Sequence, residues 1–236
     1  MFSFFKPQID LPVKVRFYKD LDGIRYLKRM PVKANNDEIV YLSTVKAPDN
    51  LEICSYVTDK KYNILGYHEY YINEDILDGD YMEVYPKHQR KGIGEILRLA
   101  SIMMFKENNL KEMLLDSMST AIPFHMKYRF KPEFPCYQQD KTQHLLQNII
   151  YRTKEPSDFN KLAKKLSSEL YLTKDENKYE KSLSKFITQY VIQNRRRWDD
   201  AGFLYNLSLK LDDKTIKANA DFYNKLFKKH EIDYKI

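Results

Sequence analysis

The chain has 236 residues, of which 43% are hydrophobic and 14% aromatic, and its formal net charge is +7. This apolar content excludes a chain that is disordered throughout, and no apolar run is long enough to cross a bilayer. The first seven residues are too short for a signal peptide, so we expect a soluble cytoplasmic protein without membrane contact. Cys54 and Cys136 form neither a disulfide framework nor a metal pattern, and both are expected to be reduced thiols.

The positive charge is concentrated in the C-terminal part. Residues 1–139 carry 20 Lys and Arg against 19 Asp and Glu, whereas residues 140–236 carry 20 against 14. This excess favours either an acidic or nucleic-acid partner or simply a solvated, lysine-rich helical surface.

Hydrophobic periodicity predicts an alternation of strands and helices in the first part of the chain. The predicted strands are 13–18, 39–45, 51–58, 64–72, 80–85 and 112–116, with a turn over 73–80. The predicted helices are 20–30, 94–107 and 119–129. This order predicts an α/β fold in which helices flank a sheet.

The helix predicted over 94–107 is amphipathic. One face carries Ile96, Leu97, Ala100, Met103 and Met104, and the opposite face carries Glu95, Arg98 and Lys106. We therefore expect the first set to be buried and the second to point outward.

After about residue 140 the pattern becomes helical. Helices are predicted over 157–171, 176–197 and 214–230, with a strand at 148–153. We therefore divide the chain into a first domain, 1–155, and a C-terminal helical extension, 156–236, of open role.

Residues 86–94 combine a proline, basic side chains and two glycines before the helix. Gly92 and Gly94 allow backbone N–H groups to approach an anion closely, and the helix start adds N–H groups without intrahelical partners. No Gly-Lys-Ser/Thr sequence ends the loop, and the third glycine of a dinucleotide fingerprint is missing. The loop is predicted to bind a phosphate group.

Two patterns here resemble a known family. Residues 89–94 fit the Q/R-x-x-G-x-G/A signature of the Gcn5-related N-acetyltransferases (GNAT), and Met82, Val84 and Pro86 occupy its L-x-V-x-P strand pattern. The resemblance covers roughly residues 10–135. It implies a GNAT-type mixed, mainly antiparallel central sheet flanked by helices, here with a C-terminal helical extension.

The resemblance also implies acetyl-CoA as co-substrate, without a metal. The residues that would bind it are Met82, Val84, Tyr85, Gln89, Arg90, Lys91, Gly92, Ile93 and Gly94. Backbone amides of the loop would hold the pyrophosphate, and an amide near residues 84–85 would polarise the acetyl carbonyl.

Proton transfer would require side chains. Glu83 is the candidate general base, although on an alternating strand it could also simply face solvent. Many family members place a general-acid tyrosine where this chain has His125, and they have asparagine and glycine where it has Met118 and Arg129. His125, or Tyr128 one turn later, is therefore the candidate acid.

The predicted function is acetyl transfer to a primary amine by direct attack in a ternary complex. Two alternatives stay open: an acyl-CoA-binding module without turnover, and an interaction protein that acts through its basic tail. In that tail, residues 195–198 could contact a phosphate backbone or merely complement a helix C-terminus. The acceptor and the oligomeric state, including a homodimer, stay open as well.

Overall fold

The structure is a computed structural model that describes residues 25–26, 29–46, 52–117, 121–133, 139–153, 157–193 and 207–236. Several features named above lie outside these residues: the strand 13–18, most of the helix 20–30, Cys136, Met118 and the basic cluster 195–198.

The chain forms two compact units. The first consists of Met1–Met113 and Asp212–Ile236, and the second of Leu114–Leu211. These units do not follow the expected division at residue 155, because the last 25 residues belong to the same unit as the glycine loop.

The first unit is built on antiparallel strands. They are β1 (Arg25–Tyr26), β2 (Met30–Lys33), β3 (Ile39–Lys46), β4 (Glu52–Thr58), β5 (Ile64–Asn73) and β6 (Ile76–Val84). They pair in the order β1-β3-β4-β5-β6, and β2 also pairs with β3. Together with the helices described below, this confirms the predicted α/β class with a mainly antiparallel sheet.

Two predictions about the strands of this unit were wrong. Residues 25–26 and 30 are strand rather than helix, and Pro31 lies within β2, which among the described residues pairs only with β3. An edge position of this kind tolerates proline, because its missing N–H is not needed for a second strand. The turn after β5 is also shorter than predicted. It is made by Glu74, with φ +53, and Asp75, so β6 already begins at Ile76.

Helix α1 (Ile93–Glu107) packs on one face of this sheet. Its predicted apolar stripe is buried at Ile96, Leu97, Ala100 and Met104. The outward placement of Glu95 and Arg98 was wrong, since these side chains are only 4% and 1% exposed. For Glu95 the reason is the C-terminal segment, which covers it with Lys229 and His230.

The single helix predicted over 214–230 is two helices, α6 (Asp213–Ala218) and α7 (Ala220–Lys229). Helices α2 to α5, which precede them along the chain, belong to the second unit and are described below. Asp212 caps the first, accepting a hydrogen bond from the Thr215 N–H at 2.6 Å. On α7, Tyr223 and Phe227 are fully buried, and this helix packs on α1. The C-terminal helix α7 therefore forms part of the core of the first unit, beside the helix that follows the glycine loop.

The second unit is mainly helical. It contains α2 (Ile122–Lys127), α3 (Gln139–Arg152), α4 (Asp158–Glu169) and α5 (Glu176–Gln193). Strand β7 (Glu112–Ser117) enters it from the first unit, and β8 (Lys131–Pro132) pairs with β9 (Leu207–Asp212). Helices α4 and α5 confirm the described part of two predictions. The strand predicted at 148–153 was wrong, because those residues continue α3, and β9 was not predicted.

On α5, Leu183, Phe186, Ile187 and Tyr190 are all buried. The ring of Phe159 on α4 lies 6.0 Å from that of Phe186 and 5.4 Å from that of Tyr190. An aromatic cluster of this kind holds two amphipathic helices together without any ligand.

Candidate functional site

The glycine loop begins where β6 ends. Tyr85 is extended, with φ −57 and ψ 142, and a 3-10 turn follows at Pro86–His88. The Tyr85 N–H donates to the Leu65 carbonyl at 3.1 Å, and the Gln89 side-chain amide donates to the Val84 carbonyl at 3.2 Å. These two bonds tie the loop to the sheet. The first bond occupies the Tyr85 N–H. Of the amides near residues 84–85, the Val84 N–H therefore stays the candidate for polarising the acetyl carbonyl.

The next residues lead into the first turn of a helix. Arg90 and Gly92 are left-handed, with φ +63 and +85, and α1 begins directly after Gly92 without a side-chain cap. The N–H groups of residues 90–94 have no hydrogen-bond acceptor within the part of the chain that the structure describes. Successive N–H groups around left-handed residues form a concave nest that suits an anion, and the helix dipole adds positive potential. We refer to residues 85–94 as the anion loop.

The start of α1 is anchored by Ile93, whose side chain is buried against the sheet. Gly66 on β5 makes this approach feasible. A Cβ atom at Gly66 would lie 3.1 Å from Ile93 Cγ2 and 2.7 Å from the Glu83 carbonyl oxygen. Sequence reasoning missed Gly66, although an isolated glycine within a strand pattern is a known signal of close backbone approach.

The side chains of the anion loop are basic. Arg90 and Lys87 are exposed and Lys91 is half-buried. Burial, assisted by the charges of Lys87 and Lys91, lowers the pKa of His88, so this imidazole is neutral at pH 7. The positive charge near the nest therefore comes from the lysines and the arginine.

A second cluster lies on β4, β5 and β6. Glu83 pairs across the strands with Tyr67, which pairs with Tyr56, and the Tyr67 hydroxyl donates to Glu83 Oε2 at 3.3 Å. The Tyr67 ring lies 5.8 Å from that of Tyr81 and 6.4 Å from that of Tyr85. We call Tyr56, Tyr67, Tyr81, Tyr85 and Glu83 the tyrosine face.

Ionisation of the tyrosine hydroxyls is suppressed on this face. Burial, followed by the charge of Glu83, raises the pKa of Tyr67 and that of Tyr85. Burial likewise raises the pKa of the neighbouring Cys54 thiol. Among the residues of the tyrosine face, Glu83 alone carries a carboxylate.

His125 and Tyr128 lie on and directly after α2, in the second unit, whereas Glu83 lies in the first. Both side chains are buried, and the Phe124 ring lies 5.1 Å from that of His125 and 5.0 Å from that of Tyr128. Arg129 has φ +70, a conformation that glycine adopts most readily. This is the position where the family pattern has glycine. The acid role of His125 or Tyr128 stays a prediction.

Among the described residues, no group of three or more His, Cys, Asp or Glu side chains could hold a metal ion. No helix in the described ranges has the length and apolar character that a membrane span requires.

Comparison with known proteins gives structural similarities only. No protein-family model and no curated protein matches the chain. Similar solved structures include a proposed GNAT-family acetyltransferase from Desulfovibrio desulfuricans (17% identity, 36% of this chain and 59% of that one, TM-score 0.32). Another is the PaiA N-acetyltransferase of Thermoplasma acidophilum in complex with coenzyme A (19% identity, 36% and 55%, TM-score 0.33). A third is Tetrahymena GCN5 (17% identity, 37% and 56%, TM-score 0.34).

GNAT-family acetyltransferases thus recur among the similar structures, and the chain spans 55% to 59% of the length of these three. The similarity is confined to little more than a third of this chain. Assignments of chemistry therefore depend on the residues described above.

Proposed function

We propose that the chain is an acetyl-CoA-dependent N-acetyltransferase that transfers the acetyl group to a primary amine. The observation that carries this proposal is the anion loop, where the N–H groups of residues 90–94 lack an acceptor within the described residues. The nest and the start of α1 would bind the pyrophosphate, and Arg90 and Lys91 would add charge. Residues 82–85 would bind the pantetheine arm of the co-substrate, which supplies the activated acetyl group.

The acceptor amine would approach the tyrosine face. A primary amine is protonated at pH 7 and must lose a proton before it attacks a thioester carbonyl carbon. Glu83 would take this proton, directly or through a water molecule. Tyr67 orients the carboxylate through its hydroxyl. Tyr81 and Tyr85 add ring faces that attract a cation before it is deprotonated.

Direct attack in a ternary complex is favoured over an acyl-enzyme. The described cysteine, Cys54, is buried, and its raised pKa keeps the thiol protonated, so it is a poor nucleophile. As the amine nitrogen forms a bond to the acetyl carbonyl carbon, the C–S bond breaks and the departing CoA thiolate takes up a proton. His125 or Tyr128 is proposed to supply that proton. Changing His125 to Phe should reduce turnover far more than the affinity for CoA.

A second candidate is an acyl-CoA-binding module without turnover. It is favoured by the unusual residue at the acid position, His125, which is buried against Phe124. Incubation with acetyl-CoA and a panel of primary amines distinguishes the two functions, because a module binds CoA but releases no free thiol.

The third alternative, a tail that binds a partner, stays a prediction. Truncation at residue 155 would not test it cleanly, because it also removes α7, which packs on α1. Charge reversal at residues 195–197 is the cleaner variant.

The proposal is tested at Gly94. Gly94→Glu places a carboxylate at the second position of α1, where it repels a phosphate but suits the helix dipole. CoA affinity measured by calorimetry should fall about 100-fold or more, with the thermal midpoint of unfolding retained. Gly94→Ala is the matched control and should bind within about threefold of the original chain. Equal CoA affinity of the Glu and Ala variants would exclude the anion loop as the binding site.

A further inference from the structure

His230, at the C-terminal end of α7, is fully buried in the first unit. Its Nδ1 lies 2.6 Å from the Lys33 carbonyl oxygen, and its Nε2 lies 2.7 Å from Glu95 Oε1. Lys229 Nζ donates to the same carboxylate oxygen. None of these groups has a role in the chemistry proposed above.

Both ring nitrogens of His230 face oxygen atoms. The ring thus bridges the backbone of β2 and the first turn of α1. Removal of either His230 or Glu95 would leave the other side chain buried without this partner.

This network touches the back of the anion loop. A Cβ atom at Gly92 would lie 3.1 Å from His230 Cε1 and 2.7 Å from Asn35 Oδ1. The Asn35 N–H donates to the Lys91 carbonyl at 2.9 Å, and the Lys33 N–H donates to the His230 carbonyl at 2.9 Å. The loop is therefore enclosed from behind by residues 33–35 and by the imidazole.

Glu95 connects the same network to α1. It is the third residue of this helix, one residue after the last glycine of the loop. Its link to His230 ties the first turn of α1 to the C-terminal helix, and the imidazole and Asn35 occupy the space that a side chain at the left-handed Gly92 would need. The direction of the free N–H groups thus depends on a side chain that is distant in sequence.

We propose that His230 is a positioning residue for the anion loop, holding its N–H groups in the arrangement that binds the CoA phosphates. This inference rests on the proposed function. It assigns the C-terminal helix α7 a part in co-substrate affinity, although His230 would touch no substrate atom.

The test compares two variants of the full chain. His230→Leu removes both imidazole contacts and keeps much of the volume, whereas Phe227→Leu disturbs the same helix one turn earlier without reaching Glu95. We expect His230→Leu to raise the dissociation constant for CoA and the KM for acetyl-CoA about tenfold, with kcat at saturation within about twofold. Phe227→Leu should leave both constants unchanged even where it lowers the unfolding midpoint equally.

Hydrogen exchange supplies a readout that does not require CoA. Amide exchange of residues 89–96 should be faster in His230→Leu than in Phe227→Leu at matched stability. Should His230→Leu fail to fold, Glu95→Gln is the second variant and should show the same changes to a smaller degree.

Equal exchange in the two variants, or a parallel loss of CoA affinity in both, would overturn the inference. If the original chain binds no CoA, the proposed function fails, and the exchange comparison still decides whether His230 holds the loop.

Discussion

The anion loop and the tyrosine face lie at the end of the same strand, β6, but they are built from different materials. The anion loop would bind through backbone N–H groups. Apart from its glycines, this mode of binding does not require particular side chains. The tyrosine face presents side chains that reach one another only because β4, β5 and β6 pair in register. A site made of backbone leaves a local sequence pattern, whereas a site made of cross-strand side chains does not.

The largest expected difference between the two regions is kinetic. Glu83→Gln removes the carboxylate of the tyrosine face without touching the anion loop. We expect kcat for amine acetylation to fall about 100-fold or more, with CoA affinity unchanged, because general-base catalysis needs the ionised group. Steady-state rates and calorimetry measure the two quantities.

Glu69→Gln is the matched control for this change. Glu69 lies on β5 opposite Tyr81, and burial together with Asp80 and Glu52 raises its pKa. It should retain kcat within a few fold. Should both variants lose activity equally, the acidic character of the face would matter rather than Glu83 itself.

The second prediction concerns the two glycines of the anion loop, which should respond in opposite directions. Gly92→Ala forces a side chain into a left-handed backbone and against Asn35, and should lower the free energy of unfolding by about 2 kcal/mol. Gly94→Ala lies within α1 and should raise it by about 0.5–1 kcal/mol. Urea unfolding measures both. A stabilised Gly92→Ala variant would contradict the loop geometry.

Substitution of Gly92 is a poor test of CoA binding. Its substitution disturbs Asn35 and His230 as well as the nest, so a loss of CoA binding there would not separate binding from folding. Gly94 does separate them.

The smallest effect is expected at Cys54, the thiol beside the tyrosine face. Because burial raises its pKa, the thiol remains protonated at pH 7 to 8 and should resist alkylation in the folded chain. Cys54→Ala should keep kcat within about twofold of the original. A variant without activity, or an acetylated Cys54 trapped by mass spectrometry, would instead indicate an acyl-enzyme.

Much of the fold around the site could be predicted from the sequence. Strands such as β3 and β5 and the helix α1 follow from period-two and period-3.6 hydrophobicity. The predictions failed where a partner distant in sequence decides. Residues 148–153 are apolar enough for a strand but continue α3, and Glu95 and Arg98 are polar yet buried.

The backbone conformation of residues 85–94 follows largely from the local sequence, because two glycines precede an amphipathic helix. The surroundings of this loop follow from tertiary packing instead. Tyr67 reaches Glu83 through strand pairing, and His230 reaches Glu95 and Gly92 through the return of the C-terminal helix. The physical reason is that hydrogen bonds and burial depend on distance in space, and for these residues that distance is set by packing rather than by neighbours along the chain.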